Sequence, residues 1–250
     1  MAEPFCDLNS LMCVVRLPNE KSGMDISQYL QGGYYITKLV PRPECVSSLM
    51  PPTLLTLSSC FTDLAPGDWA LDWYNHSWPE RGQEASKFGI PAELLPEMVE
   101  FCSGEMKGQM HNAFPSAAVA VEFHRRFVRA TDTLVVGIGL HKSLFSSFKD
   151  QLDKEPNRGL GLIERLEQGI PMADSGKVQG FEPLGFEALH FHSWICHNLP
   201  GEIYKVLGIG PSANGLIATL EDAIRVNEYI SRPETGAEPV VWEPWLIAQY

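Results

Sequence analysis

Thirty-one acidic residues against nineteen basic ones give this 250-residue chain a net charge of −12 at pH 7. A surface that negative works against nucleic acid and anionic membrane, which both need counter-charge on the protein, and it favours a basic partner, whose approach it speeds. With 44% hydrophobic residues and 12 Phe, 7 Tyr and 6 Trp, the chain has material for one large core or two small ones and is not a disordered polymer.

The amino terminus, MAEPFCDLNS, lacks the basic region and apolar stretch of a secretory signal. Two β-like runs follow, LMCVVRL (11–17) and GYYITKLV (33–40), rich in β-branched and aromatic residues. PRPECVSSLMPPTLLTLSS is punctuated by proline and reads as a loop, a short helix and then a strand. GDWALDWYNHSWPERG (67–82) reads as a loop or irregular edge. PAELLPEMVEFCSGEM (91–106) opens with proline at a helix start, where a missing N–H costs nothing. SAAVAVEFHRRFVR (116–129) has Ser116 as its cap and apolar residues at helical spacing. TLVVGIGL (133–140) is a buried strand, followed by an amphipathic helix from about 143 and a short helix in 160–169. Residues 170–180 read as an exposed linker, 181–189 as a strand with a turn, and two helices are expected around 190–207 and 220–231. A proline- and tryptophan-rich tail, PVVWEPWLIAQY, closes the chain. Strands and helices interleave without a βαβ rhythm. The expected fold is therefore α+β, a mixed or antiparallel sheet with helices packed on it, forming a single compact domain with a possible subdomain boundary near 170–180.

No run of eighteen apolar residues exists to cross a membrane. The six cysteines (6, 13, 45, 60, 102 and 196) form no CxxC pair and read as reduced thiols of a cytoplasmic protein. Cys13, Cys60 and Cys102 lie in apolar sequence surroundings that disfavour a thiolate.

The densest chemistry is HFHSWICH (190–197), with three histidines and a cysteine in eight positions. On a helix, His192 and Cys196 share one face at i, i+4; on a strand, Cys196 lies about 13 Å from His192. Neither geometry gathers four ligands. A zinc site would combine the His192–Cys196 half-site with donors from elsewhere, His124 or His141 being candidates. The competing reading is a half-buried helix whose imidazoles are satisfied by hydrogen bonds. VLGIGPSANG (206–215) imitates a dinucleotide loop and a nucleophile elbow, but too little chain follows it for the first and Asn214 stands where the second needs glycine. It reads instead as a helix stopped at Gly208, a turn, and a new helix with Thr219 and Asp222 at its start.

The stretch 67–82 interleaves Trp69, Trp73 and Trp78 with Asp68, Asp72 and Glu80. Aromatic anchors beside carboxylates suit the grip on a basic partner, and aromatic residues equally fill core edges. No HExxH, P-loop or EF-hand spacing occurs.

The phrases GFEPLGFE (180–187), HSWICHNL (192–199), LGIGPSANGLI (207–217), EDAIRVNEYI (221–230) and the tail AEPVVWEPWLIAQY resemble bacterial cytoplasmic proteins that look like immunity partners of polymorphic toxins. That resemblance implies a non-catalytic protein that occludes the active cleft of a toxin domain, without a cofactor. The alternative is a metal-dependent hydrolase using His192 and Cys196 as ligands.

Overall fold

The computed structural model describes residues 24–65, 78–106, 113–152, 161–187 and 190–250, with only the backbone described for 78–81. The first expected strand, 11–17, lies outside these residues. Five strands form one antiparallel sheet: β1 (Tyr29–Lys38), β4 (Thr133–His141), β5 (Lys177–Glu187), β6 (His190–Ser193) and β7 (Val241–Gln249), in the order β1-β4-β7-β5-β6. A two-stranded ribbon, β2 (Val40–Pro41) with β3 (Thr53–Leu54), stands beside it. The α+β class follows directly from this arrangement. No described helix is long and apolar enough to cross a membrane.

The carboxyl-terminal segment overturns its expectation. It is no proline-broken tail but the central strand β7, hydrogen-bonded to β5 along one edge and to β4 along the other. Its proline is tolerated for a reason of register. Pro244 faces Pro183 across the ladder, and Pro183 turns its carbonyl the other way, to accept from the N–H of Trp194 at 3.1 Å. The two prolines therefore meet at a non-hydrogen-bonded pair, where neither needs an N–H. On its other edge β7 pairs with β4 only over 246–249, so Pro244 withholds no donor there either.

Alternation along β7 divides the core. Trp242, Leu246 and Ala248 face one side of the sheet, where α7 (Leu220–Ile230) lays down Ala223, Val226 and Ile230. Val241, Trp245 and Ile247 face the other, against Phe148 and Leu152 of α4 (Phe145–Leu152) and Leu162 and Leu166 of α5 (Leu162–Glu167). A third cluster packs α2 (Leu95–Glu105) and α3 (Ala117–Phe127) onto Tyr34, Ile36 and Val135. Three expected caps are present. Ser116 Oγ accepts from Val119 N–H (3.3 Å), Thr219 Oγ1 accepts from Asp222 N–H (3.1 Å), and Gly208, in the left-handed region, closes α6 (Pro200–Leu207).

Gly180 sits at a register shift in β5 with φ of +143°, and a Cβ there would lie 2.8 Å from the backbone oxygen of Ile217. That oxygen is already bonded to Phe181 N–H, so the backbone has no room to yield. Gly180→Ala is expected to lower stability by about 1–3 kcal/mol, read as a drop in the urea midpoint.

Two carboxylates are buried in the sheet. Glu243 of β7 is 5% exposed, and burial pushes its carboxyl up from 4.5 to about 7. The folded chain thus keeps a proton that the unfolded chain has lost, so stability falls as pH rises from about 4.5 through about 7. Glu243→Gln is expected to add roughly 2–3 kcal/mol at pH 8 and almost nothing at pH 4. Denaturant titrations of both proteins at the two pH values check this. Glu182 of β5 is also pushed up by burial, to about 7, so part of the slope remains in the variant.

Candidate metal centre

The segment HFHSWICH is not the helix that its imidazole spacing invites. His190–Ser193 is strand β6, paired with β5 so that His192 stands opposite Gly185. After Ser193 the chain turns back, because Trp194 and Ile195 are drawn fully into the core. Cys196 then opens a single 3-10 turn, and the N–H of Ser193 donates back to its sulfur at 3.4 Å. A strand followed by this reversal brings His192 and Cys196 together, where a straight strand separates them and a helix stacks them on one face.

The backbone leaving Cys196 is strained. His197 and Asn198 both take left-handed conformations, with φ of 58° and 57°. For non-glycine residues each costs about 1 kcal/mol, somewhat less for asparagine. Asn198 Oδ1 accepts from Ser47 N–H at 2.6 Å, which helps to hold the turn. Strain of this kind gathers at sites where a side chain must be aimed.

The third donor is Cys60, from a segment far away in the chain. Glu182 pins that segment. Its Oε1 accepts from the hydroxyls of Thr56 (2.5 Å) and Ser193 (2.6 Å), and its Oε2 accepts from Leu57 N–H (3.1 Å). The N–H of Ser59 then donates to Phe191 O at 3.0 Å, laying residues 56–60 across the end of β6. Cys60 Sγ ends 3.8 Å from His192 Nδ1, and Ser58 Oγ lies 3.3 Å from Cys196 Sγ. One donor atom from each of Cys60, His192 and Cys196 lies within 4.8 Å of the others. This is the only such convergence of three His, Cys, Asp or Glu donors among the described residues.

The imidazole of His192 is held on both sides. Its Nε2 lies 3.2 Å from Glu187 Oε2, and its Nδ1 lies 3.2 Å from Glu238 Oε1. Glu238 Oε1 also accepts from His197 Nε2 at 2.7 Å, while Glu238 Oε2 is buried with no hydrogen-bond partner among the described residues. A neutral ring donates from one nitrogen only. With Nε2–H given to Glu187, the Nδ1 lone pair is left facing Cys60 Sγ, where it can accept from the thiol or meet a cation.

Burial pushes the Cys196 thiol up to about 12, opposed in part by the Ser58 hydroxyl and the Ser193 N–H. It is therefore a thiol until a cation draws off its proton, and not a free nucleophile. Burial pushes Cys102 to about 12 as well, in keeping with its apolar surroundings. Cys60 departs from that expectation: it is exposed. Burial works against ionisation of Glu238, but the hydrogen bond from His197 and the nearby imidazoles outweigh it and hold the carboxyl below its ordinary range.

The structure places the other sequence candidates elsewhere. His124 Nε2 pairs with Thr133 Oγ1 at 2.9 Å and His141 Nδ1 with Ser143 Oγ at 2.7 Å, so neither joins His192. Asp68, Trp69, Asp72 and Trp73 lie outside the described residues. Trp78 and Glu80 fall in the first turn of helix α1 (Trp78–Ser86), where a loop or irregular edge was expected. Cys60, Glu187 and Glu238 carried no signal in the sequence, since each reaches His192 from a different element. Comparison with protein-family models, with curated proteins and with solved structures returns no match.

Proposed function

We propose that the protein binds one zinc-class ion through Cys60 Sγ, His192 Nδ1 and Cys196 Sγ, and that the ion serves metal-dependent hydrolysis. The observation that carries this reading is the convergence of two sulfurs and one imidazole nitrogen within 4.8 Å, on a ring whose other nitrogen is braced by Glu187. Soft sulfur and imidazole donors select zinc over magnesium or calcium. A carboxylate on the far ring nitrogen is the outer support that metal-binding histidines ordinarily have.

Three protein donors leave a fourth position for water or substrate, the pattern of catalytic zinc sites. Glu238 is not part of the convergent set, and this reading keeps it outside the ligand shell. A pocket lined by Ser59, Glu187, His190 and His192 lies against the site and gives a substrate access. An ion held by Cys60, His192 and Cys196 would supply Lewis-acid activation of water and of a carbonyl or phosphoryl oxygen. In this reading Glu238, whose Oε2 has no hydrogen-bond partner among the described residues, would take a proton from the attacking water and return it to the leaving group. Trp242 Nε1 donates to the backbone oxygen of Glu238 at 3.0 Å and fixes its approach.

The test combines metal analysis with turnover of p-nitrophenyl acetate by zinc-loaded and chelator-stripped protein. One zinc per chain with hydrolysis lost on stripping supports the proposal. Stoichiometric zinc without turnover leaves a structural metal and overturns the hydrolytic half. Absence of zinc uptake, with Cys60 alkylated rapidly only when His192 is intact, replaces the reading with a thiol–imidazole nucleophile oriented by Glu187.

A second reading draws on the net charge of −12 and the alternation of tryptophan and acidic residues in 67–82. It makes the chain an immunity-type inhibitor of a basic toxin domain, gripping it through Asp68, Trp69, Asp72, Trp73, Trp78 and Glu80. A joint Asp72→Ala and Trp73→Ala variant that keeps full affinity for such a partner removes that stretch from the interface.

A further inference from the structure

A second cleft, of about 580 Å³, opens between β1, the start of α3 and the 170–175 turn, and shares no lining residue with the metal-centre pocket. Its walls are Tyr34 and Tyr250, packed edge to face at 5.2 Å, and its rim carries Val121 and Ile170. Those two are 41% and 45% exposed, apolar side chains left at the surface where the cleft opens. The cavity has the size and apolar lining of a small-molecule site.

Few polar groups line it. Gln31 lines the cleft, is only 7% exposed, and its carboxamide makes no hydrogen bond to any described residue. With no protein partner, the amide is left to water or to an occupant of the cleft. The start of α3, a helix of eleven residues, lines the same cleft through Ala117 and Ala118. Ser116 satisfies Val119 N–H through its hydroxyl and Ala120 N–H through its carbonyl. The N–H groups of Ala117 and Ala118, in the first turn, have no acceptor within the helix. Asp174 acts on Tyr250 through its charge and limits the negative charge an occupant can carry.

We propose that this cleft binds a small monocarboxylic acid with an aromatic or short aliphatic body. The carboxylate accepts from Ala117 N–H, Ala118 N–H and the Gln31 amide, at the positive end of the helix. The body lies between the two tyrosine rings and the Val121–Ile170 rim.

Calorimetric titration of the full chain with benzoate, hexanoate and the neutral isostere benzamide tests this. Benzoate is expected to bind with Kd of about 1 mM or below, and benzamide at least tenfold more weakly. Ala117→Pro deletes one donor without breaking the helix, because proline suits the first helical position and Ser116 already has the extended conformation (φ −151°, ψ 159°) that precedes proline. It is expected to weaken benzoate about tenfold, as is Gln31→Leu. Val121→Trp, which fills the cleft from an exposed position, is expected to abolish binding and keeps the test open should Gln31→Leu fail to fold. The proposal is overturned by equal affinity for benzoate and benzamide, by unchanged binding in Ala117→Pro, or by no binding of either acid at about ten times the expected Kd.

Discussion

His192→Ala is expected to lower zinc affinity by more than about a hundredfold, beyond the 10- to 100-fold that loss of an outer-shell partner ordinarily costs. The ring is the one nitrogen donor of the convergent set, and it stands between Glu187 and Glu238. Without it only the two sulfurs of the set remain, too few to hold the ion tightly. Cys60→Ser and Cys196→Ser are expected to fall in the same class. Glu187→Gln is expected to cost only about 10- to 100-fold, because it loosens the ring without removing a donor. Glu238→Gln is expected to leave zinc affinity within about threefold and to slow hydrolysis by about a hundredfold, the ordinary contribution of a positioned proton acceptor. Competition against a chromophoric chelator reads all these affinities. A hundredfold loss of affinity in Glu238→Gln would instead make that carboxylate the fourth ligand and the site a closed, structural one. Affinity in every case is expected to rise with pH, since both thiols must give up protons to the ion.

The largest stability effect is expected at Trp245. Its side chain is fully buried, meets Phe148 edge-on at 5.6 Å, and fills the space that glycine leaves at position 32, where a Cβ would come within 2.7 Å of the indole. Trp245→Ala is expected to cost about 3–5 kcal/mol, the range for deleting a buried aromatic whose site cannot collapse. The rigid sheet on one side and α4 and α5 on the other keep that cavity open. Trp245→Phe should cost less than half as much, because it retains most of the ring contact and removes an indole N–H that has no hydrogen-bond partner among the described residues. Chemical denaturation of the two variants separates these outcomes. Equal losses would show that the indole nitrogen is satisfied in solution.

Much of the fold is legible in local pattern. Helices α2, α3 and α7 announce themselves by proline or hydroxyl starts and by apolar residues at helical spacing. Strand β4 does so by an unbroken apolar run. The misread elements are those decided by partners distant in sequence. Proline argues against a central strand, and only the facing Pro183 and the limited reach of β4 make Pro244 acceptable in β7. In HFHSWICH the spacing of His192 and Cys196 suits a helix, but the burial of Trp194 and Ile195 and two left-handed residues turn the chain instead. The site was half visible for the same reason. His192 and Cys196 are four positions apart and draw notice together, whereas Cys60 is 132 positions from His192 and arrives through a carboxylate hook at Glu182. No local pattern encodes that hook. A buried Glu is recognised only once Thr56, Leu57 and Ser193 are seen to donate to it.

The central claim is the identity of the donors around the ion. X-ray absorption at the zinc edge of the stoichiometrically loaded chain measures it directly. The expected shell is two sulfurs at about 2.3 Å with two nitrogen or oxygen neighbours near 2.0–2.1 Å, reduced to one sulfur in Cys60→Ser. A shell of oxygen and nitrogen alone, or two sulfurs still present in Cys60→Ser, would contradict the assignment.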